Sequence, residues 1–100
     1  MTQNDTTPRH VLRLYIAGMT PAARRALTNV QAICEEHLQG HYELEVIDLV
    51  ERPALAEGDQ IFAVPTLVRR LPPPLRKIIG DMSDTEKVVV GLDLLPRERV

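Results

Sequence analysis

The sequence holds a single cysteine, no tryptophan, one phenylalanine and two tyrosines in 100 residues. One thiol can close neither an internal disulfide nor a CxxC redox pair, which excludes a disulfide-stapled secreted scaffold. So few aromatic rings offer little surface for stacking bases. The formal net charge is -2, so no global basic field draws the chain to nucleic acid. No apolar run approaches the ~18 residues of a membrane span. The start, MTQNDTTPRH, lacks the basic-then-apolar plan of a signal peptide. No GxGxxG, P-loop or GxSxG occurs. These absences point to a cytoplasmic domain with no cofactor, no nucleic-acid partner and no membrane partner.

What is present is ordinary in amount: 44% apolar and 26% charged residues, in a length that suits one domain. A chain this short buries only roughly 60–68% of its unfolded surface, so its stability margin is thin and a partner would help. Residues 1–9 read as a disordered arm, 10–96 as the domain and 97–100 as a short tail.

Val11 to Ala17 is rich in branched and aromatic residues and reads as a strand that Gly18 breaks. Thr20 and Pro21 mark a helix start, a capping hydroxyl followed by proline at the first helical position. Ala23, Ala26, Leu27, Val30, Ile33, Cys34 and Leu38 then recur at gaps of three and four, with Arg24, Arg25, Gln31 and Glu35 opposite, until Gly40. Tyr42 to Leu49 alternates as a second strand with one wet face. A helix between two such strands implies a parallel βαβ unit. Pro53 opens a short helix through about Asp59, and Ile61 to Leu67 reads as a third extended run interrupted by Pro65.

After Leu67 two periods compete. Pro72, Pro73 and Pro74 break any regular element, as a rigid linker or as a slow hinge, since X-Pro bonds interconvert in tens of seconds or longer. Arg76 to Gly80 fits a strand or a helical turn. Ser83 with Glu86 three residues on is a capping-box pattern, and a helix from Asp84 would align Val88, Leu92 and Leu95. Yet Val88, Val90, Leu92 and Leu94 also make an alternating strand face, and Gly91 costs a helix roughly 1 kcal/mol against alanine. Conflict between levels tends to mark function.

Candidate chemistry is sparse. Cys34, His37 and His41 stand at spacings of three and four, but Cys34 lies on the apolar stripe and Gly40 ends the helix before His41. Burial would also leave the thiol inert as a nucleophile. Asp81, Asp84 and Glu86 lack calcium-loop spacing and fit a solvated helix start. Charge is uneven: Glu35, Glu36, Glu43, Glu45, Asp48, Glu51, Glu57 and Asp59 share their stretch with Arg52 as the one arginine or lysine. Arg69, Arg70, Arg76 and Lys77 cluster around the prolines. Solvated faces of both signs explain this, as does steering toward a protein partner.

The segments LRLYIAGMTPAARRAL, YELEVIDL, AVPTLVRRLPPPLRKIIGDMSD and EKVVVGLDLL, in this order and spacing, resemble the KaiB family of the bacterial circadian clock, from about Val11 to Leu95. The resemblance implies an α/β, thioredoxin-like-related and metamorphic fold. In isolation it implies a ground state of order βαββααβ, as a dimer or tetramer, which switches to a thioredoxin-like βαβαββα monomer. It implies a protein without enzymatic activity of its own that binds a KaiC-type ring ATPase, recruits a KaiA-like protein and displaces a sensor histidine kinase. Pro65, Pro72, Pro73, Pro74, Gly91 and Asp93 are marked as fold-switch positions. Gly91→Ala should favour the switched form by roughly 1 kcal/mol, and an arginine at position 93 should disturb the ground state. Thioredoxin-like folds place a cis-proline where Pro65 stands; a trans proline at a strand edge is the plainer reading. Where such folds carry CxxC, this chain reads Gly18-Met19-Thr20-Pro21-Ala22-Ala23.

The partner surface is expected at Arg25 and the stretch holding Glu43, Glu45 and Glu51. The family's clock proteins carry lysines in that second-strand region, so the acidic residues here are a departure. Charge reversal at an interface costs several kcal/mol through like-charge contact. The alternative is a KaiB-like module that no longer switches and serves a histidine kinase or a stress-response complex.

Overall fold

The computed structural model describes residues 9–94. The readings made for the arm before Arg9, for Leu95 and for the tail lie outside these residues. The elements in chain order are β1 (His10–Ile16), α1 (Pro21–His37), β2 (Tyr42–Asp48), α2 (Leu55–Gly58), β3 (Thr66–Leu71), β4 (Arg76–Ile79) and α3 (Thr85–Gly91). One sheet has the order β2-β1-β3-β4. The β1–β2 pair is parallel, joined by α1; β1–β3 and β3–β4 are antiparallel.

The N-terminal half follows from its residues. Thr20 Oγ1 accepts from the Ala23 amide at 3.0 Å, and Pro21 fills the first helical position. The buried face of α1 is Ala23, Ala26, Val30, Ile33 and Cys34, with Leu27 packed at its edge. Past Leu38 the chain turns through Gln39 and Gly40, both at positive φ, the conformation in which helices commonly end. Strand alternation then divides the molecule into two layers. Leu12, Leu14, Ile16 and Leu67 face α1 and α3 in the main core; Tyr15, Ile47 and Val68 face the other way, toward α2, Leu49 and Ile61.

The C-terminal half corrects several expectations. The order seen is βαβαββα, the switched arrangement that the resemblance implies, and not its βαββααβ ground state. Residues 84–91 form a capped helix: Asp84 Oδ1 accepts from the Lys87 amide at 3.1 Å, and Val88, Val89, Leu92 and Leu94 are buried. Burying such side chains is worth roughly 1.5–3 kcal/mol each, which outweighs the weak helix preference of valine. The cap is Asp84, one residue past the Ser83 expected; the Ser83 amide instead donates to Asp81 Oδ1.

Residues 61–65 are not strand. Pro65 has no N–H to pair, so the ladder begins at Thr66. The Val64–Pro65 peptide is cis. The Pro72-Pro73-Pro74 run is a hairpin connection between β3 and β4, not a linker, and Arg76–Ile79 is a strand and not a helical turn.

Candidate functional site

Arg25 stands on the outer side of α1, beside a groove of about 660 Å³ lined by Met19, Pro21, Arg24, Arg25, Thr28, Asn29 and Ser83. Its Nε donates to Asp81 Oδ2 at 3.1 Å, while the Asn29 side chain donates to the Asp81 carbonyl at 2.9 Å. The Ser83 and Arg25 hydrogen bonds hold the Asp81 carboxyl below the ordinary carboxylate range. The groove therefore presents two arginines, one of them held by an internal anion.

Glu43 and Glu45 do not join Arg25. On β2 they alternate with Tyr42 and Leu44, which pack on the α1 side, so their side chains project on the other face. Nor are they a bare acidic field. Glu43 meets Arg9 at 3.7 Å; Glu45 meets Arg13 at 3.1 Å and Arg52 at 3.9 Å. Arg13 and Glu45 are direct partners in the parallel register. Glu51 lies exposed in the turn after β2. The expected partner residues thus fall on two surfaces, α1 with its groove and the outer edge of β2.

Sequence reasoning missed a polar network on the α2 side. Tyr15 donates to Asp59 Oδ2 at 2.6 Å, Arg70 Nη1 reaches Asp59 Oδ1 at 2.5 Å, and Arg13 Nη1 donates to the Tyr15 hydroxyl at 3.1 Å. Burial pushes the Asp59 carboxyl up, but hydrogen bonds from Tyr15 and Arg70, with the charges of Arg70 and Arg13, prevail and hold it below its usual value. Burial, and then donation to Asp59, raise the Tyr15 phenol. Lys77 Nζ adds a bond to the Gln60 carbonyl at 2.9 Å. Together these contacts fasten the end of α2 to β1, β3 and β4.

The switch candidates also come together in part. Pro65 precedes β3; Pro72, Pro73 and Pro74 close the β3–β4 hairpin, with cis bonds at Leu71–Pro72 and Pro73–Pro74. Gly91 is the last residue of α3, and a Cβ there would meet Ile78 Cδ1 at 2.6 Å. Asp93 has φ +53, and its carboxylate stands 4.0 Å from Arg69. An arginine at 93 would place like charge there, in a left-handed conformation that asparagine and aspartate tolerate better. It would therefore cost the present arrangement as well as the expected ground state.

Cys34 is fully buried, and burial, then Glu35, push its thiol up to about 12. His41 is exposed beyond the helix end, so Cys34, His37 and His41 do not converge. The segment from Gly18 to Ala23, at the C-terminal end of β1 and the start of α1, carries a threonine cap and a proline where a redox fold would carry thiols.

This arrangement defines a thioredoxin-like α/β domain without a dithiol. The comparison with solved structures agrees. The N-terminal domain of Synechococcus elongatus SasA superposes with a TM-score of 0.73 at 19% identity, covering 100% of this chain and 96% of that one. Mitochondrial thioredoxin 3 from Saccharomyces cerevisiae gives 0.69 at 18% identity, covering 86% and 78%. Sequence narrows the class. Residues 13–94 match the KaiB domain. The circadian clock oscillator protein KaiB of Microcystis aeruginosa is 58% identical over 89 residues, 89% of this chain and 86% of that protein. The circadian clock protein KaiB3 of Synechocystis is 51% identical over 88 residues, 88% and 86%. The chain belongs to the KaiB family. No described helix is long and apolar enough to cross a membrane.

Proposed function

We propose that this chain is a clock-type regulator, not an enzyme, that binds a KaiC-type ring ATPase in the cytoplasm as a βαβαββα monomer. In this reading it rests as a βαββααβ dimer or tetramer. The complex also recruits a KaiA-like protein and displaces a sensor histidine kinase. The observation that carries the reading is the hairpin-and-helix packing of the C-terminal third in a single chain, from a sequence whose Val88–Leu94 stretch suits a strand equally well. Two packings of one sequence need differ by only a few kcal/mol to interconvert. Pro65, Pro72, Pro73, Pro74, Gly91 and Asp93 set that balance. Arg25 with its groove, and the β2 edge with Glu43, Glu45 and Glu51, supply the partner surfaces.

A partner that selects a minor arrangement binds with an apparent affinity reduced by the fraction populated. The test is analytical sizing and amide NMR of wild type and Gly91→Ala, each mixed with a KaiC-type ATPase. Gly91→Ala is the better single variant, because Asp93 is engaged with Arg69. Wild type is expected to bind over hours and the variant faster, as a monomer. Absence of any complex after hours, for both, overturns the proposal. It would favour a KaiB-like module that keeps one fold and serves a histidine kinase or stress-response partner, the reading that Glu43, Glu45 and Glu51 motivate.

A further inference from the structure

Residues far apart in the chain meet at one buried guanidinium. Arg69 lies on β3, opposite Leu12 of β1, and its side chain is only 3% exposed. Nη1 donates to the Leu92 carbonyl at 2.8 Å and to the Asp93 carbonyl at 3.4 Å. Nη2 donates to the Pro74 carbonyl at 2.8 Å. Leu92 and Asp93 follow the last residue of α3, and Pro74 is in the β3–β4 connection. A helix C-terminus leaves carbonyls without partners and favours a positive charge. The last turn of α3 contains no basic residue, so that charge comes across from β3.

We infer that Arg69 is a latch that makes docking of α3 and closure of the β3–β4 hairpin a single event. The inference goes beyond the partner reading and does not need a partner. An isolated α3 would not hold: it has seven residues, three of them consecutive valines, far below the roughly 12–15 at which helices become marginal in water. It depends on the sheet. If α3 lifts, the guanidinium loses the Leu92 and Asp93 carbonyls that it bonds now. If the hairpin opens, it loses Pro74. Each loss weakens the reason for the other contact to persist, because a buried charge is tolerated only while it is hydrogen-bonded. The planar fork is essential, since its two terminal nitrogens reach two elements at once, whereas an ammonium is a point charge.

The test is native-state amide exchange of the full chain in rising denaturant. In wild type, the amides of α3 and of β4 are expected to open together, at one free energy lower than that of the α1 amides. In Arg69→Lys both sets should exchange about 10-fold faster or more, with α1 protection kept. Arg70→Lys, whose guanidinium holds Asp59 instead, should leave α3 exchange unchanged. Different opening free energies for α3 and β4 in wild type would overturn the latch. So would one opening free energy shared with α1, or unchanged protection of either set in Arg69→Lys. Should Arg69→Lys fail to fold, the wild-type measurement decides alone. Failure to bind an ATPase with this exchange pattern intact would count against the partner reading and not against the latch.

Discussion

On the face covered by α1 and α3, buried apolar residues from Leu12 to Leu94 form one continuous cluster; on the face covered by α2, the buried apolar cluster consists of Tyr15, Ile47 and Val68. The second face makes up the difference with charge: Asp59 between Tyr15 and Arg70, Arg13 beside them, Glu45 at the rim. Apolar burial is non-directional and tolerates a change of neighbours, so long as something apolar covers it. A hydrogen-bonded ion network has one geometry. In the reading proposed above, the first face could therefore be covered by α3 or by another element, while the second holds α2 in a single position. The latch at Arg69 belongs to the second kind of interaction placed on the first face, which is why it can specify one cover among several.

The largest loss of stability is expected on the apolar face. Leu14 is fully buried in the main cluster. Leu14→Ala should cost about 2–5 kcal/mol, a large part of the 5–15 kcal/mol typical of a domain. Urea unfolding followed by circular dichroism would read it, and a loss under about 1 kcal/mol would mean that this face is not the principal source of stability.

On the polar face the corresponding change is Asp59→Asn. Arg70 remains partly exposed and can be rehydrated, so the expected loss is about 1–2 kcal/mol, smaller than at Leu14. Its pH dependence has a definite sign. The folded carboxyl titrates below its usual value near 3.8, so its stabilisation is complete above that value and is lost as pH falls through the folded one. The advantage of wild type over Asp59→Asn should be flat at neutral pH and shrink below about pH 4. An advantage that grows on acidification would show that Asp59 is not held by cations.

These two faces were unequally legible in the sequence. The apolar face was readable because its signal is local: the α1 stripe from Ala23 to Leu38, the branched and aromatic run from Val11 to Ala17 and the alternation from Tyr42 to Leu49 each show within a few residues. Even there the cover was ambiguous, because Val88–Leu94 satisfies both a strand and a helix. The polar face was not readable. Tyr15 and Asp59 are 44 residues apart, and no periodicity links them. Arg69 looked like one member of a basic cluster, since nothing in a strand sequence marks an arginine as buried. The run before Pro65 looked extended, and what kept it out of the sheet was the missing proline N–H.

A smaller effect sharpens the α3 side. Gly91→Ala gains helix propensity, up to about 1 kcal/mol in a helix interior and less at the last position. Against that, its Cβ would stand 2.6 Å from Ile78 Cδ1, the mobile end of that side chain. Because that atom can move, the contact offsets only part of the gain. Ile78→Val removes Cδ1, so Gly91→Ala should be more stabilising in that background than in wild type. A double-mutant cycle measures this coupling, and additivity would mean that Ile78 moves aside at no cost.

The smallest expected effect lies at the rim of the polar face. Glu45 is exposed and pairs with Arg13 and Arg52. Exposed ion pairs are worth about 0–1 kcal/mol, and salt screens them. Glu45→Gln should therefore change stability by less than about 0.5 kcal/mol at physiological salt. Its informative readout is elsewhere. Arg13 also donates to Tyr15, which holds Asp59, so Glu45 stands one step outside the buried network. If the network is closed, Glu45→Gln and Asp59→Asn act additively, and the β2 edge can change its charge without loosening α2. If they couple by more than about 0.5 kcal/mol, the acidic rim is continuous with the interior. A partner neutralising that rim would then be felt at α2, and the division between an adaptable apolar face and a fixed polar one would extend to how the protein responds to binding.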